Sequence, residues 1–181
     1  MIETKDISVI VPVKNESGNI NGLIDEIGEA LKNSNYEIIY VNDGSTDDTG
    51  IELKNNLKLS KKLRVVSHIK SLGQSAALRS GILASKSKLI ATLDGDGQND
   101  PSDLPKMIEL INQKKTSMVL VGGVRVKRKD NIARLWASSF AKHCRFLFLK
   151  DKHPDSGCGI KVFHKQLYLR LPYFDHMHRF L

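Results

Sequence analysis

Cysteine is scarce in this chain. Its two cysteines, Cys144 and Cys158, do not form a pair at metal-binding spacing. That argues against a zinc-stapled framework and points to free thiols in a reducing cytosol. No apolar run approaches the roughly 20 residues of a membrane-spanning helix, and no secretory leader opens the sequence. The expectation is a protein that is soluble or lies on a membrane face. Aromatic residues make up only 6% of the chain and are not interleaved with basic ones along a sheet, which ranks nucleic acid below phosphate-bearing ligands. A Gly-rich loop ending in Lys-Ser/Thr is missing, which argues against a P-loop NTPase. Gly-x-Gly-x-x-Gly is missing after the first apolar run, which argues against a dinucleotide dehydrogenase. There is no tandem repeat and no low-complexity tract.

What is present is ordinary for a folded domain. The 181 residues are enough for one domain with a proper core, or for most of a larger one. Forty per cent are hydrophobic and 27% charged. The formal charge of +8 favours an anionic partner (nucleic acid, a phosphate-bearing substrate or an acidic membrane surface), although Lys-rich solubility gives the same sum. The charge is concentrated between Arg125 and Lys152, whereas Lys14, Lys58, Lys61, Lys62, Arg64 and Lys70 are scattered.

Hydrophobic periodicity alternates between strand and helix. Buried-strand patterns cover Ile7–Val13, Tyr36–Val41, Leu63–Ile69, Lys88–Leu93 and Met118–Val121. Helical spacing relates Ile20, Leu23, Ile24, Ile27 and Leu31 behind a candidate cap at Asn19. A second helix carries Ile51, Leu53 and Leu57, with Asp47 or Asp48 as its cap. A third runs from Gly73 to Ala84. A fourth opens at Pro101 and carries Leu104, Met107, Ile108 and Ile111. Strands alternating with helices predict an α/β fold with a mostly parallel sheet flanked by helices, whose ligands bind beyond the carboxyl ends of the strands.

Three polar clusters follow such strand ends: Lys14-Asn15-Glu16, Asn42-Asp43 and Asp94-Gly95-Asp96. An Asp-x-Asp leaving a buried strand either forms a polar turn or holds a hard divalent cation through oxygen, and that cation can grip a diphosphate. Asp96 and Gln98, two apart, can present oxygen to one Mg²⁺ or Mn²⁺. Asp43 either bonds ribose hydroxyls or a base edge, or closes a turn with Gly44.

The stretches Ile10-Val11-Pro12-Val13-Lys14-Asn15-Glu16, Val41-Asn42-Asp43-Gly44-Ser45-Thr46-Asp47, Gly73-Gln74-Ser75-Ala76-Ala77 and Asp94-Gly95-Asp96-Gly97-Gln98 occur in one order. In that order the chain closely resembles the family 2 glycosyltransferases, nearest their polyprenyl-phosphate sugar transferase branch, typified by dolichol-phosphate mannosyltransferase. The resemblance implies a GT-A type, Rossmann-like sheet and an inverting, metal-dependent transfer from a GDP- or UDP-sugar. It implies that Pro12, Lys14, Glu16, Asp43, Gly73, Asp94 and Asp96 contact the donor, and that Asp96 and Gln98 hold Mg²⁺ or Mn²⁺. Asp94, Asp96 and Arg125 would carry catalysis. The branch usually has Tyr at the position of Lys14, Asp at that of Asn42 and Asn at that of Ser71. A lysine cannot stack on a base as a ring does, so the nucleotide stays open.

Between Asn131 and about Leu149, Ile132, Leu135, Trp136, Phe140, Cys144, Leu147 and Phe148 share one helical stripe, with Arg134, Lys142 and Arg145 elsewhere. Such a helix either lies at a membrane interface or packs on the sheet. The resemblance implies that residues 124–150 cover the donor and receive a lipid phosphate through Arg125, Arg128, Arg134 and Ser138. It also implies that Asp155 and Arg179 belong to the acceptor-phosphate site, Arg179 within a segment, His176 to Phe180, that helps bind phosphates. Asp155 either orients the donor sugar or an arginine, or belongs to a loop turn. The implied partners are a nucleotide-diphosphate sugar, a polyprenyl phosphate and a membrane surface, without nucleic acid. The implied location is the cytoplasmic membrane face. An alternative keeps the donor site but delivers sugar to a glycan hydroxyl, and another is a non-catalytic nucleotide-sugar-binding domain. Members of the branch continue for tens of residues past the point matching Leu181. The expectation is therefore a single catalytic domain over 1–181, cut short at its C-terminus.

Overall fold

The structure, a computed structural model, describes residues 6–124, 155 and 157–172. Among these residues six strands form one sheet: β1 (Ile7–Val13), β2 (Tyr36–Asp43), β3 (Leu63–His68), β4 (Leu89–Thr92), β5 (Leu120–Gly122) and β6 (Lys161–His164). Between them lie α1 (Ile20–Ala30), α2 (Thr49–Leu59), α3 (Gln74–Ala84) and α4 (Leu104–Asn112), with α5 (Lys165–Arg170) after β6. The order across the sheet is β3-β2-β1-β4-β6-β5. Strands β1 to β4 pair in parallel, and β6 runs antiparallel to both β4 and β5.

The period-two pattern of the strands divides the core into two layers. Val9, Val11 and Val13 of β1, with Ile38 and Tyr40 of β2, face the side covered by Leu23 and Ile27 of α1, Leu53 of α2 and Met107 and Ile111 of α4. Ile10 of β1, Ile39 and Val41 of β2 and Ile90 of β4 face the other side, against Ala77, Leu78 and Ile82 of α3 and Tyr168 of α5. Both faces are covered, which is why these strands read as continuous apolar runs. At the amino end of the sheet, buried Glu37 binds the Ser8 hydroxyl (2.6 Å), the Arg64 guanidinium (2.9 Å) and the Lys86 N–H (2.7 Å). Burial pushes the Glu37 carboxyl up, but these hydrogen bonds and the Arg64 charge outweigh it and hold the group below its ordinary value.

Among the described residues, the five expected strands and four of the five expected helices are present, with shifted ends. β2 runs two residues further, to Asp43. Pro101 opens a 3-10 turn capped by the Asp100 carboxylate, and α4 follows from Leu104. Asn19 occupies the N-cap position of α1 without a side-chain cap bond. Antiparallel β6 and α5 were not anticipated. The helix expected over 131–149, within the basic segment 124–150, lies outside the described residues.

Chain order sets the site. From β1 the sheet grows one way, to β2 and β3, and then returns to place β4 on the other side of β1. The carboxyl ends of β1 and β4 therefore flank a crevice at the point where the strand order reverses, the usual ligand position in such sheets.

Candidate active site

A cavity of about 360 Å³ opens at that crevice. Pro12, Val13, Lys14 and Glu16 line it from the exit of β1, and Asp43 from the exit of β2. Ser71, Gly73 and Gln74 come from the entrance to α3, and Thr92, Leu93, Asp94 and Asp96 from β4 and its exit. Gly157, Gly159 and Lys161 close it from the β6 side. All seven donor residues expected from the sequence thus share one cavity.

The β1–α1 loop is held by its neighbour through consecutive backbone donors. The N–H groups of Asn15, Glu16, Ser17 and Gly18 donate to Ser45 Oγ (3.0 Å), Thr49 Oγ1 (2.9 Å), Asp47 Oδ2 (3.1 Å) and Glu52 Oε1 (2.9 Å). Asn15 Oδ1 returns a bond by accepting from the Thr46 N–H at 2.8 Å. Asn15 takes φ +57°, a left-handed geometry that Asn tolerates better than most side chains. The polar run after β2 is therefore a clasp for the loop carrying Lys14 and Glu16. Within it, bonds from Thr49, with a further one from Ser17, draw the Asp47 carboxyl down to about 2. Asn42 closes the turn by accepting from the Ser45 N–H at 3.0 Å. Lys14 is left exposed at the cavity mouth, and Glu16 accepts from Asn19 Nδ2 at 2.9 Å.

Asp43 is buried and accepts four hydrogen bonds. His68 Nδ1 (2.7 Å) and the Leu72 N–H (2.8 Å) meet Oδ1, while Ser71 Oγ (2.8 Å) and the Gly73 N–H (2.9 Å) meet Oδ2. Burial raises this carboxyl, but the four donors outweigh it and hold it below the ordinary aspartate value. A Cβ on Gly44 would stand 2.5 Å from the Ser71 nitrogen, so only glycine lets the 70–73 loop lie this close. Both readings of Asp43 thus have support in its position: it lines the cavity, and it ties the end of β2 to the entrance of α3. Ser71, at the position where the branch has Asn, supplies one of the ties.

Asp94 is half-buried at the exit of β4. Its Oδ1 accepts from Gln74 Nε2 at 3.0 Å, and its N–H donates to the buried Asn99 Oδ1 at 3.3 Å. Asp96 is exposed at the cavity edge, where its Oδ1 accepts from the Gln98 N–H at 3.0 Å. The Gln98 side chain is exposed and does not line the cavity. Among the described residues no group of three or more His, Cys, Asp or Glu side chains could hold a metal ion. Two carboxylates at the edge of a cleft do fit a hard cation that keeps most of its coordination sites for water and phosphate oxygens.

Asp155 is buried, does not line the cavity, and accepts from the Cys158 N–H through its backbone oxygen. Arg125, Arg128, Arg134, Ser138 and Arg179 lie outside the described residues. The sequence reading missed Gln74, Thr92 and Lys161 as cavity residues. Lys161 is buried, with Nζ donating to the Cys158 oxygen, and the Thr92 hydroxyl donates to the Gly159 oxygen at 2.8 Å. The available signal was the pair of glycines, Gly157 and Gly159, just ahead of the apolar Ile160 and Val162.

A sheet of this order, with acidic exits around its switch point, has the layout of a nucleotide-binding α/β domain. Residues 8–172 match the model of Glycosyl transferase family 2, and the chain belongs to that family. It is 30% identical over 184 residues to the dodecaprenyl-phosphate galacturonate synthase of Rhizobium johnstonii, a match covering 99% of this chain and 54% of that one. It is also 30% identical over 166 residues to the undecaprenyl-phosphate 4-deoxy-4-formamido-L-arabinose transferase of Pseudomonas savastanoi pv. phaseolicola, covering 90% and 48%. The chain spans about half the length of the curated relatives it matches. Glucosyl-3-phosphoglycerate synthase of Mycobacterium tuberculosis, solved with Mn²⁺ and UDP-glucose, superposes with a TM-score of 0.72 at 23% identity, covering 94% of this chain and 60% of that one. The same enzyme solved with Mg²⁺ and UDP gives 0.72 at 22% identity. The fold is GT-A-like, as expected.

Proposed function

We propose that this chain transfers a sugar, with inversion, from a nucleotide-diphosphate sugar to a polyprenyl phosphate. The observation that carries this reading is the convergence of Asp43, Asp94 and Asp96 on one cavity at the switch point of a family 2 sheet. The names of the relatives support a polyprenyl-phosphate acceptor. The concentration of positive charge between Arg125 and Lys152 is suited to a lipid phosphate, with Arg125, Arg128, Arg134, Ser138 and Arg179 as its proposed contacts.

The donor's nucleoside occupies the side near Pro12, Lys14 and Glu16, beside the loop that Asp43 holds. Its diphosphate lies toward Asp94 and Asp96, and Gly73 lets the chain approach it closely. Asp96, with Asp94 beside it and Gln98 on the same turn, would hold Mg²⁺ or Mn²⁺. When bound, that ion neutralises charge on the departing diphosphate. A phosphate monoester has a second pKa of about 6, so it is already a nucleophile near neutral pH. One of its oxygens forms a bond to the anomeric carbon as the bond from that carbon to the diphosphate breaks, and the nucleoside diphosphate leaves with the electron pair. No general base is required, which agrees with a site whose buried Asp155 does not line the cavity. The work of the protein is alignment and electrostatics.

No helix among the described residues is long and apolar enough to cross a membrane. We place the protein peripherally on the cytoplasmic face, where a lipid phosphate is accessible, with residues 1–181 acting as one catalytic unit. Incubation with a panel of UDP- and GDP-sugars, Mn²⁺ or Mg²⁺, and a short polyprenyl phosphate tests the reading. Lipid-linked sugar is the expected product, and Asp96→Ala abolishes it. Transfer only to a glycan hydroxyl, or nucleotide binding without turnover, would overturn it.

A further inference from the structure

Three elements meet at Asp94. It leaves β4 at the switch point, and Gln74, the first residue of α3, reaches it from one side with Nε2 3.0 Å from Oδ1. Gln74 follows Gly73, whose N–H is bound to Asp43, so the carboxamide starts from a fixed point. On the other side stands Gly159. A Cβ there would lie 2.0 Å from Asp94 Oδ2 and 2.3 Å from Cγ, so the carboxylate occupies the space a side chain would need. Gly159 is itself held, because its carbonyl accepts the Thr92 hydroxyl at 2.8 Å. Asp94 is thus gripped across 85 residues of chain, by the entrance of α3 and the entrance of β6.

A carboxamide differs from Lys or Arg in this position. It supplies a directed N–H without contributing a charge. It can therefore fix the direction of a carboxylate without cancelling the negative charge that the site uses. We infer that Gln74 is a positioning residue, which turns the Asp94 carboxylate against Gly159 and so aims it into the donor cavity. The inference rests on the reading of that cavity as the donor site. A misplacement of about 1 Å in such a group costs on the order of 100-fold in rate.

The test compares wild type with Gln74→Leu, Gln74→Glu and Gly159→Ala in steady-state transfer across a pH series, alongside UDP binding and crystal structures. Gln74→Leu lowers kcat by about 10- to 100-fold and weakens UDP binding by a smaller factor than it lowers kcat. Gln74→Glu is at least as impaired above neutral pH. Relative to wild type at the same pH, it regains activity as the pH falls toward about 5, where the introduced carboxyl, facing the like charge of Asp94, takes up a proton and donates again; wild type itself slows over that range as the acceptor monoester takes up its second proton. Gly159→Ala displaces Asp94 and matches Gln74→Leu in kcat. Equal activity of Gln74→Leu and wild type overturns the inference, as does a loss in Gln74→Glu that pH does not reverse. Should wild type bind UDP but transfer no sugar from any donor, the transfer reading fails while the donor site stands. The inference is then decided by the structures alone, and an Asp94 carboxylate unmoved in Gln74→Leu overturns it.

Discussion

His68 Nδ1 lies 2.7 Å from Asp43 Oδ1, while His68 Nε2 lies 2.9 Å from the Ser80 hydroxyl. Because an ionised carboxylate only accepts, the proton of the first bond resides on Nδ1. The relay ties the end of β2 to the end of β3 and to α3, and its members are mostly buried: the side chains of His68 and Asp43 are 10% and 5% exposed. Replacing Asp43 by Asn removes one acceptor oxygen and sets an amide against donors already in place. The expected cost is about 2–4 kcal/mol of stability, with UDP affinity reduced about tenfold or more. His68→Ala has a smaller effect in the same direction, and His68→Asn, whose Nδ2 can take the place of Nδ1, recovers most of it. Chemical denaturation and UDP titration of the three variants check this.

The clasp between the loops after β1 and β2 is sensitive to acid. The Asp47 carboxyl is drawn down to about 2, below its unfolded value near 4. A depressed carboxyl contributes stability that is fully present above the unfolded value and is lost as the pH falls through the folded one. Asp43, held below its ordinary value, adds to the loss in the same direction. Measured against the intrinsic rate of an unprotected amide, exchange of the Ser17 N–H, which is bound to Asp47, is expected to remain slow down to about pH 4 and to accelerate toward pH 2. In Asp47→Asn the acceleration is present already at neutral pH, and donor KM rises more than kcat falls.

Glu37 provides a control remote from the chemistry. It is 2% exposed and its partners Ser8, Arg64 and Lys86 gather at the amino end of the sheet, opposite the cavity. Removing one partner from a buried ion pair typically costs about 3–5 kcal/mol. With Arg64 partly exposed, about 2–3 kcal/mol is expected for Glu37→Ala. Thermal unfolding should register that loss while UDP affinity stays unchanged. A parallel loss of affinity would show that the two ends of the sheet are coupled.

The repeating part of the fold was legible because each parallel strand is buried on both faces and reads as an apolar run, and each helix presents one stripe. β6 escaped because it has four residues and Lys161 interrupts its apolar pattern, the lysine being accommodated by a bond to the Cys158 carbonyl. The rim residues were legible because Asp43, Asp94 and Asp96 sit at strand exits, where turn chemistry and ligand chemistry share residue types. What each rim residue does was not. Asp43 is satisfied by Ser71, Leu72 and Gly73, and those partners come from a loop whose path the sequence pattern does not encode. Gln74 meets Asp94 only because α3 packs beside β1 and β2.

Titration calorimetry of UDP in the presence and absence of Mn²⁺ tests the central claim most directly, on wild type and on Asp96→Ala. Wild type is expected to take up UDP at a single site with an affinity that Mn²⁺ raises by tenfold or more, worth about 1.4 kcal/mol, and Asp96→Ala is expected to lose that gain. UDP uptake indifferent to manganese, or an Asp96→Ala protein that responds as wild type does, would contradict the account.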